Sequence, residues 1–550
     1  MDYEKAKELV ENLLERLTFL GGRFELPGGV ISSKERAAMA LLAGVTEEIV
    51  GTDGATTTVV PQSPAIVAPR VSLSDDCLSS VRDDAALLCV DFGTAFSKAA
   101  VWRDGDDAPI PLDLGGASGG GLTTDSAAFI SDGHLFFGPA AVRRHAEDGD
   151  VNRALFASPK EHLTHDHARF QADRPSLDVD PTGLFRTRDL LALYLGYLTS
   201  LTGERLEALG VGRHVLRRFA APGWGDAQIS KTTPHFEAVS AQLKHLLIDA
   251  QILADTLPAT MWRDGLDVSM ARSALDELAL ISPALREGAS FVERSVLEAV
   301  AAATGVQDRL VNSRPQVLVV DVGAGTTDIG TFKYNVNNQG AKVSAYQDGL
   351  RAIRTAGNRL DDALIELAWS QLGLAAGSQL KPMHDRKLRP AVRDLKRDLF
   401  SNGAVQIDVD GFDTVKLESD QFRQTSFVSY FEREFEKAVK SALNGSGIGS
   451  RNFVQTNQSN VVVFTGGGGS LPFLRDLFEK PIELEDGNAI FEIHDPIPEW
   501  VDSYPADVAT IFPQLAVSTG GCSPFLPDEK GSVRDTTVAA SRSLAPNYRS

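Results

Sequence analysis

Two short segments place an aspartate at the end of an apolar strand, followed by a tight turn of glycine and threonine and a second strand. They are Asp91–Ser97 (Asp-Phe-Gly-Thr-Ala-Phe-Ser) and Asp321–Asp328 (Asp-Val-Gly-Ala-Gly-Thr-Thr-Asp). Glycine allows backbone N–H groups to approach phosphate oxygens, and threonine hydroxyls add donors. An aspartate at the strand end can hold Mg²⁺ through its water shell. One such unit alone is more typical of an ordinary hairpin.

A third segment, Val461–Pro472, carries a buried strand into four consecutive glycines and then a predicted helix. Such a run leaves no side chains between the backbone and a flat ligand. It could lie against a nucleoside, with the helix N-terminus nearby. Taken alone, the same run could equally be a flexible turn.

In this order and at these separations, the three segments resemble the phosphate-1, phosphate-2 and adenosine motifs of the actin/Hsp70/sugar-kinase ATPase superfamily. The resemblance covers about residues 85 to 522. It implies an α/β fold of two lobes, with duplicated ribonuclease-H-like domains around a nucleotide cleft. It also implies ATP or ADP and Mg²⁺ as cofactors.

The Hsp70-like branch of that superfamily fits best. The 207 residues from Asp91 to Glu298 leave room for a large inserted subdomain in the first lobe. The segments Leu297–Ala303, Ala356–Asp361 and Val392–Leu399 also resemble Hsp70 segments in the same order. Hsp70 chaperones continue into a peptide-binding sandwich and a lid, which the 29 residues after Gly521 cannot form. We therefore expect a nucleotide-binding domain without a peptide-binding domain.

The resemblance assigns catalytic and metal-binding roles to four residues. Asp91 and Asp321 would lie on either side of the Mg²⁺ water shell. Lys160 would neutralise charge developing on the γ-phosphate. Glu298 would orient the attacking water or accept its proton. Lys98, close to the first turn, is interpreted as a solvated strand residue.

Nucleotide contacts are carried over in the same way. The phosphates would be cradled by residues of the two turns, namely Gly93, Thr94, Gly323, Gly325, Thr326 and Thr327. The nucleoside would lie between two groups on opposite sides, namely Lys396 and Arg397, and Gly466, Gly467 and Gly468. Departures from the Hsp70 pattern, which bear on affinity and base preference, are Ala95, Ala324, Arg393, Gly468 and Ser470.

Periodicity and composition divide the chain into five parts. Residues 1–50 form a helical segment of two short helices, the first ending at Gly21–Gly22, and 51–84 form a Pro/Ser/Thr-rich linker. Lobe I covers 85–312 with an inserted subdomain at about 115–225, and a helix is predicted over 290–304. Lobe II covers 313–527 with an inserted subdomain at about 358–440, its end returning towards lobe I. A polar tail spans 528–550.

Charge and composition exclude several function classes. The 74 acidic and 54 basic residues give a net charge of −20, which argues against sequence-independent nucleic-acid binding. No uncharged apolar stretch is long enough to predict a membrane-spanning helix. The cysteines Cys77, Cys89 and Cys522 form no CxxC motif, and the N-terminus resembles no signal or transit peptide. These features predict a cytoplasmic protein.

The resulting hypothesis is an Mg²⁺-dependent, slowly hydrolysing ATPase that acts as a conformational switch with a separate protein partner. The N-terminal segment could contact that partner, the rest of the chain, or a second copy. Three alternatives remain at this stage. They are an actin-like ATPase that polymerises with ATP, a small-molecule kinase of the same superfamily, and a nucleotide sensor that barely turns ATP over.

Overall fold

The computed structural model describes residues 18–20, 23–25, 71–79, 83–115, 121–150, 152–164, 167–221, 234–306, 316–337, 340–374, 381–408, 414–447, 450–451, 455 and 460–526. The chain divides into two compact units, Met1–Val67 and Ala68–Ser550. Most of the predicted N-terminal helical segment, part of the 51–84 linker, the centre of the glycine-rich run at 115–121 and the 528–550 tail lie outside the described residues.

The N-terminal unit contains a short antiparallel ladder, with Thr18 paired to Glu25 and Leu20 to Arg23. The sequence prediction of a helix running through Leu20 is therefore wrong at Thr18–Leu20. Threonine and phenylalanine favour extended backbone, and a Gly-Gly sequence between two short runs is a hairpin signal. Here these local preferences outweigh the leucine spacing.

The structure is mixed α/β, and its strands number in chain order as follows. They are β1 (Thr18–Leu20), β2 (Arg23–Glu25), β3 (Asp83–Asp91), β4 (Phe96–Arg103), β5 (Ile110–Pro111), β6 (Thr124–Asp125), β7 (Ala127–Ser131), β8 (His134–Phe137), β9 (Phe156–Ala157), β10 (Val215–Ala221), β11 (Leu266–Asp267), β12 (Val292–Leu297), β13 (Gln316–Val322), β14 (Thr327–Asn337), β15 (Gly340–Ile353), β16 (Ala404–Ile407), β17 (Val415–Glu418), β18 (Asn460–Thr465), β19 (Ile482–Leu484), β20 (Gly487–Ala489) and β21 (Phe491–His494).

The α-helices are numbered in the same way. They are α1 (Gly138–Glu147), α2 (His167–Ala172), α3 (Thr187–Ala208), α4 (Pro234–Thr256), α5 (Ala259–Asp264), α6 (Val268–Leu278), α7 (Pro283–Gly288), α8 (Glu298–Gly305), α9 (Gly357–Gln371), α10 (Lys381–Asn402), α11 (Ser419–Arg423), α12 (Ser426–Gly445), α13 (Pro472–Arg475) and α14 (Ala506–Gly521). Among the helices of the described residues, none combines the length and apolar character needed to cross a bilayer.

Two mixed sheets share one strand order. The first runs β5-β4-β3-β10-β12, with β6 also paired to β4. The second, read in the same direction, runs β15-β14-β13-β18-β21. In each, the first three strands along the chain form an antiparallel meander, and the last two run parallel to the first. Strands β3 and β13 therefore hold equivalent central positions. Smaller sheets comprise β11-β8-β7-β9 and the hairpins β16-β17 and β19-β20.

Both strand–turn–strand predictions are confirmed, as β3–β4 and β13–β14. The predicted helix over 290–304 is wrong in its first half. Residues Val292–Leu297 form β12, which pairs in parallel with β10, and the helix begins only at Glu298. The apolar spacing of this stretch suits a helix, but the neighbouring strand offers its backbone hydrogen bonds. Glu298 consequently lies at the carboxyl end of a sheet strand.

Helices α8 and α14 lie between the two sheets. Helix α8 contacts β10 and β12 of the first sheet and β13, β14 and β15 of the second, and α14 contacts β3, β4, β10 and β18. The two helices cross at glycines. A Cβ on Gly520 would overlap the Ala301 carbonyl oxygen and the Gly305 nitrogen, and one on Gly305 would overlap the Ala516 carbonyl oxygen. Their backbones are therefore in direct contact.

The apolar core follows this arrangement of two sheets with α8 and α14 between them. One cluster joins the first sheet, α8 and α14 to one face of the second sheet, including Val317 and Val319 of β13. A second cluster covers the opposite face of the second sheet, where Leu318 and Val320 pack beneath α9, α10 and α12. The alternation along β13 shows that this central strand is buried on both faces.

We predict that Gly520→Ala lowers the free energy of unfolding by about 2–3 kcal/mol, because the added methyl group must push two backbones apart. Denaturant unfolding monitored by circular dichroism measures this. Gly288→Ala is the matched control, since a Cβ there meets no atom within 4 Å. Equal stability of the Gly520 variant and the control would contradict backbone contact at the crossing.

Candidate functional site

The site lies where the central strands of the two sheets end. Asp91 is the last residue of β3, and Asp321 is the penultimate residue of β13. Their exposed fractions are 4% and 5%. The Thr465 hydroxyl, at the end of the neighbouring parallel strand β18, donates to Asp321 Oδ1 at 2.7 Å. In sheets with parallel strands, this carboxyl edge is the usual place for a ligand.

Lys98 faces Asp91 across the first turn. The two residues are directly paired in the β3–β4 ladder. Lys98 Nζ donates to Asp91 Oδ2 at 3.0 Å, and only 13% of the lysine side chain is exposed. The ammonium nitrogen also lies 3.3 Å from the place of a Cβ on Gly93. The interpretation of Lys98 as a solvated strand residue is therefore wrong.

A buried hydroxyl network supports the first turn. Ser126 Oγ donates to the Gly93 carbonyl oxygen at 2.7 Å and lies 2.9 Å from Ser97 Oγ. The Tyr194 hydroxyl donates to Ser97 Oγ at 3.0 Å. Burial raises the pKa of Tyr194, so this hydroxyl keeps its proton. The network fixes the backbone of the turn from below.

The second turn is held by the N-terminus of α9. The Gly323 N–H donates to the Thr326 carbonyl at 2.9 Å, closing the turn, and the Gly357 N–H donates to the Gly323 carbonyl at 3.1 Å. The Thr327 hydroxyl donates to the Thr355 carbonyl at 2.8 Å and is fully buried. Thr327 is thus committed to holding the turn, whereas Thr326 remains half-buried on it.

The two turns touch. A Cβ on Gly325 would lie 2.6 Å from Thr94 Oγ1 and 3.2 Å from Thr94 Cγ2, so only glycine fits there. Within the described part of the chain, the backbone N–H groups of Thr94, Gly325 and Thr326 donate to no acceptor. Half-buried, unpaired N–H groups from two facing turns are suited to bind an anion.

Lys160 and Glu298 form a buried ion pair beside the turns. Glu298 is the first residue of α8, directly after β12, and Lys160 lies on a 3₁₀ helix, Pro159–Thr164. The preceding residue, Ser158, has a left-handed φ of 52°. Its hydroxyl oxygen accepts a bond at 3.2 Å from Asn358 Nδ2, on α9. The loop that presents Lys160 is therefore tied to the helix that holds the second turn.

Negative charge exceeds positive charge in this cluster. The buried carboxylates are Asp91, Glu298, Asp321 and Asp328, and the ammonium groups are Lys98 and Lys160. Four acids against two bases leave an excess of two negative charges when all are ionised. A divalent cation would balance that excess.

Two pKa shifts follow from this arrangement. Burial raises the pKa of Asp321 to about 7, and the charges of Glu298 and Asp91 add to the effect. Burial opposes the charge on Lys160, but Glu298, Asp91 and Asp328 outweigh it and raise the pKa of the lysine. Lys160 therefore stays charged, and Asp321 takes up a proton near neutral pH.

The residues predicted to flank a nucleoside are only partly brought together. Lys396 is half-buried and bonds to Asp361 and, at 3.2 Å, to the Gly357 carbonyl, beside the second turn. Arg397 is 70% exposed and pairs with Asp394 on the same helix. The described residues include no contact between Arg397 and the two turns.

The glycine run follows β18 next to Asp321. Gly466 has a φ of 78°, and its N–H donates to the Pro513 carbonyl of α14 at 2.7 Å. The Gly468 N–H donates to the Val322 carbonyl at 2.9 Å, and a Cβ on Gly468 would overlap the Val322 side chain. Gly467 is exposed. Gly466 and Gly468 thus pack on β13 and α14, and Gly467 is the one open to solvent.

Sequence reasoning missed several contributors to the site. Thr465 and Asn358 were not singled out, although Thr465 directly precedes the run of four glycines and Asn358 lies in the Ala356–Asp361 segment. Arg393, noted only as a departure, lies 4.9 Å from the centre of the Phe96 ring, so it joins α10 to the first turn.

Within the described residues, no group of three or more His, Cys, Asp or Glu side chains could hold a metal directly. A metal here would need water ligands.

Comparison with known proteins adds no relative. No protein-family model matches the chain, and no curated protein matches it.

We predict that Asp321→Asn raises stability more at pH 8 than at pH 5. The folded-state pKa of about 7 lies above the ordinary 3.8, so the native state loses stability as pH rises towards 7 and the carboxyl must ionise while buried. Asparagine cannot ionise and so avoids this cost. The gain in the free energy of unfolding should therefore be about 2 kcal/mol larger at pH 8 than at pH 5. Thermal unfolding without Mg²⁺ or nucleotide measures it.

Asp107→Asn, at an exposed aspartate, is the control for that experiment. It should shift the unfolding midpoint equally, and little, at both pH values. A pH-independent effect of Asp321→Asn would contradict the raised pKa.

Proposed function

We propose that this protein is an Mg²⁺-dependent ATPase that acts as a nucleotide-driven switch, of the Hsp70-like branch of the actin/Hsp70/sugar-kinase superfamily. One observation carries the proposal. Two glycine/threonine turns, each following a buried aspartate on the central strand of its sheet, meet at Thr94 and Gly325. An ordinary hairpin does not require a second, equivalent hairpin against its tip.

We also infer a two-lobed fold from the two sheets. Two sheets with one strand order and one pattern of strand direction are what duplicated ribonuclease-H-like domains would give. Each sheet would be the core of a lobe, and α8 and α14 would connect the two. The cleft would open along the carboxyl ends of β3 and β13.

The residues present fit a magnesium nucleotide. Asp91 and Asp321 would hold the metal through water, which matches the preference of Mg²⁺ for retaining its hydration shell. The N–H groups of Thr94, Gly325 and Thr326 would bind phosphate oxygens, and Lys98 adds a positive charge at the first turn. Bound Mg²⁺ would supply the charge that lets both aspartates stay ionised together.

The Lys160–Glu298 pair supports the hydrolytic part of the proposal. Lys160, held charged by its neighbours, would stabilise negative charge on the transferred group. Glu298 lies at the end of β12, where it would orient a water molecule or accept its proton. A buried ion pair contributes little net stability by itself, so a role in chemistry is a reasonable use of its burial.

Contacts that would lie across the cleft support the switch. Asn358 Nδ2 bonds to Ser158 Oγ, and Arg393 packs over the Phe96 ring. Each joins a helix that covers the second sheet to a segment next to the first turn. Closure around nucleotide would make or strengthen such contacts, and hydrolysis would release them. A separate partner protein would respond to that change.

We expect ATP and ADP to bind with micromolar affinity in the presence of Mg²⁺, measured by isothermal titration calorimetry on the full chain. Asp321→Ala should weaken binding at least about 10-fold, because it removes one of the two aspartates at the metal. Asp107→Ala should leave binding unchanged. Absence of binding by the intact protein, in all Mg²⁺ and nucleotide combinations, would overturn the proposal.

We expect Glu298→Gln to slow ADP release in steady state by about 100-fold or more while ATP binding is retained, since general-base catalysis contributes about that much. Glu287→Gln, at an exposed glutamate of α7, is the matched control. Unchanged turnover in Glu298→Gln would contradict hydrolysis through this residue. Sedimentation with ATP, or ADP release only with a metabolite present, would instead favour the polymerising or the kinase alternative.

A further inference from the structure

An open cavity of about 660 Å³ lies between α12 and the end of β15, away from the two glycine/threonine turns. We call it the α12 groove. Several of its lining residues are basic, although the chain as a whole carries a net charge of −20. The residues that matter here are Arg351, Arg433, Glu436, Lys437, Lys440 and Glu485.

Arg351 forms the floor of the groove and is unusual in its partners. Its exposed fraction is 8%, yet it donates only to the Ser441 hydroxyl and to the carbonyl oxygens of Asp348, Leu350 and Ser441. No carboxylate of the described residues lies within ion-pair distance of it. Burial accordingly lowers the pKa of Arg351. The guanidinium is thus hydrogen-bonded only to neutral acceptors, and the charge of Asp348, beyond ion-pair distance, offsets only part of the effect of burial.

Arg433 and Lys437 line the rim of the groove on one face of α12. Both are exposed, and neither has an ion-pair or hydrogen-bond partner among the described residues. Lys440, one turn further, pairs with Glu436 at 2.8 Å. Two unpaired cations four residues apart lie about 6 Å apart along the helix axis.

The groove is open to solvent along the helix, so it would enclose a small molecule poorly, whereas good small-molecule sites bury most of their ligand. An extended peptide suits it better. In an extended chain, alternate side chains point the same way and lie about 7 Å apart. Carboxylates at alternate positions of a peptide would therefore match the spacing of Arg433 and Lys437.

We propose that the α12 groove binds an acidic, extended segment of a partner protein, with alternate carboxylates on Arg433 and Lys437 above the charge of Arg351. This inference does not depend on the proposed ATPase function. A partner bound in this groove would contact α12 and the end of β15, separate from the two turns.

The test is fluorescence anisotropy of the full-length protein with a short fluorescein-labelled peptide of alternating Glu and Ser. We expect saturable binding that weakens as NaCl is raised, because exposed ion pairs are screened. The double variant Arg433→Gln/Lys437→Gln should weaken it about 10-fold. Both side chains are exposed, so the variant should fold, which circular dichroism checks.

Controls make each outcome decisive. The double variant Arg143→Gln/Lys416→Gln removes the same charge at exposed positions elsewhere and should bind the peptide normally. A peptide with Gln for Glu should not bind. Equal weakening in both double variants, no binding by the intact protein, or tighter binding of inorganic tripolyphosphate than of the peptide would each overturn the proposal.

Discussion

Backbone contact between α8 and α14 is the constraint on which the rest of this arrangement depends. Gly305 and Gly520 let the two helices cross without side chains between them. Each helix then contacts strands of both mixed sheets. Because these contacts bring the sheets together at a defined spacing, the carboxyl ends of β3 and β13 converge. The meeting of Thr94 with Gly325 is a consequence of that spacing.

Convergence of strand ends creates an electrostatic problem that shapes the site. Four buried carboxylates and two lysines share one small volume, and the charges do not cancel. The protein responds by raising the pKa of Asp321 to about 7 and by keeping Lys160 charged. The same imbalance that lowers stability at high pH would favour binding of a divalent cation. At Asp321, the negative charge that the proposed function requires therefore lowers the stability of the folded protein.

Much of the local structure around the site could be predicted from the sequence. Apolar runs ending in Asp and glycine predicted β3–β4 and β13–β14, because strand and turn preferences act over a few residues. Strand β12 was mistaken for helix, since its pairing with β10 involves a residue run far away in sequence. The role of Lys98 was missed because exposure depends on what packs against a strand.

The N-terminal strands illustrate the same error with a different cause. A leucine spacing suggested helix, while Thr18, Phe19 and the Gly-Gly sequence favoured a hairpin, and the structure follows the latter. Periodicity over a few residues is weak when propensity opposes it. The spacing of apolar residues predicts helices over 234–256 and about 425–443, and α4 (Pro234–Thr256) and α12 (Ser426–Gly445) lie there, because burial and period agree in these stretches.

The sequence by itself determined the two Asp-ended strands, their glycine turns and the residue types available for charge and hydrogen bonding. These are local properties, set by backbone sterics and by which side chains carry donors or acceptors. Only the tertiary structure decided which of these groups meet. It paired Lys160 with Glu298, tied Thr327 to Thr355, turned Arg397 to solvent and placed Gly466 and Gly468 against Val322. Contacts between residues distant in the chain depend on how helices and sheets pack, and that packing is a property of the whole fold.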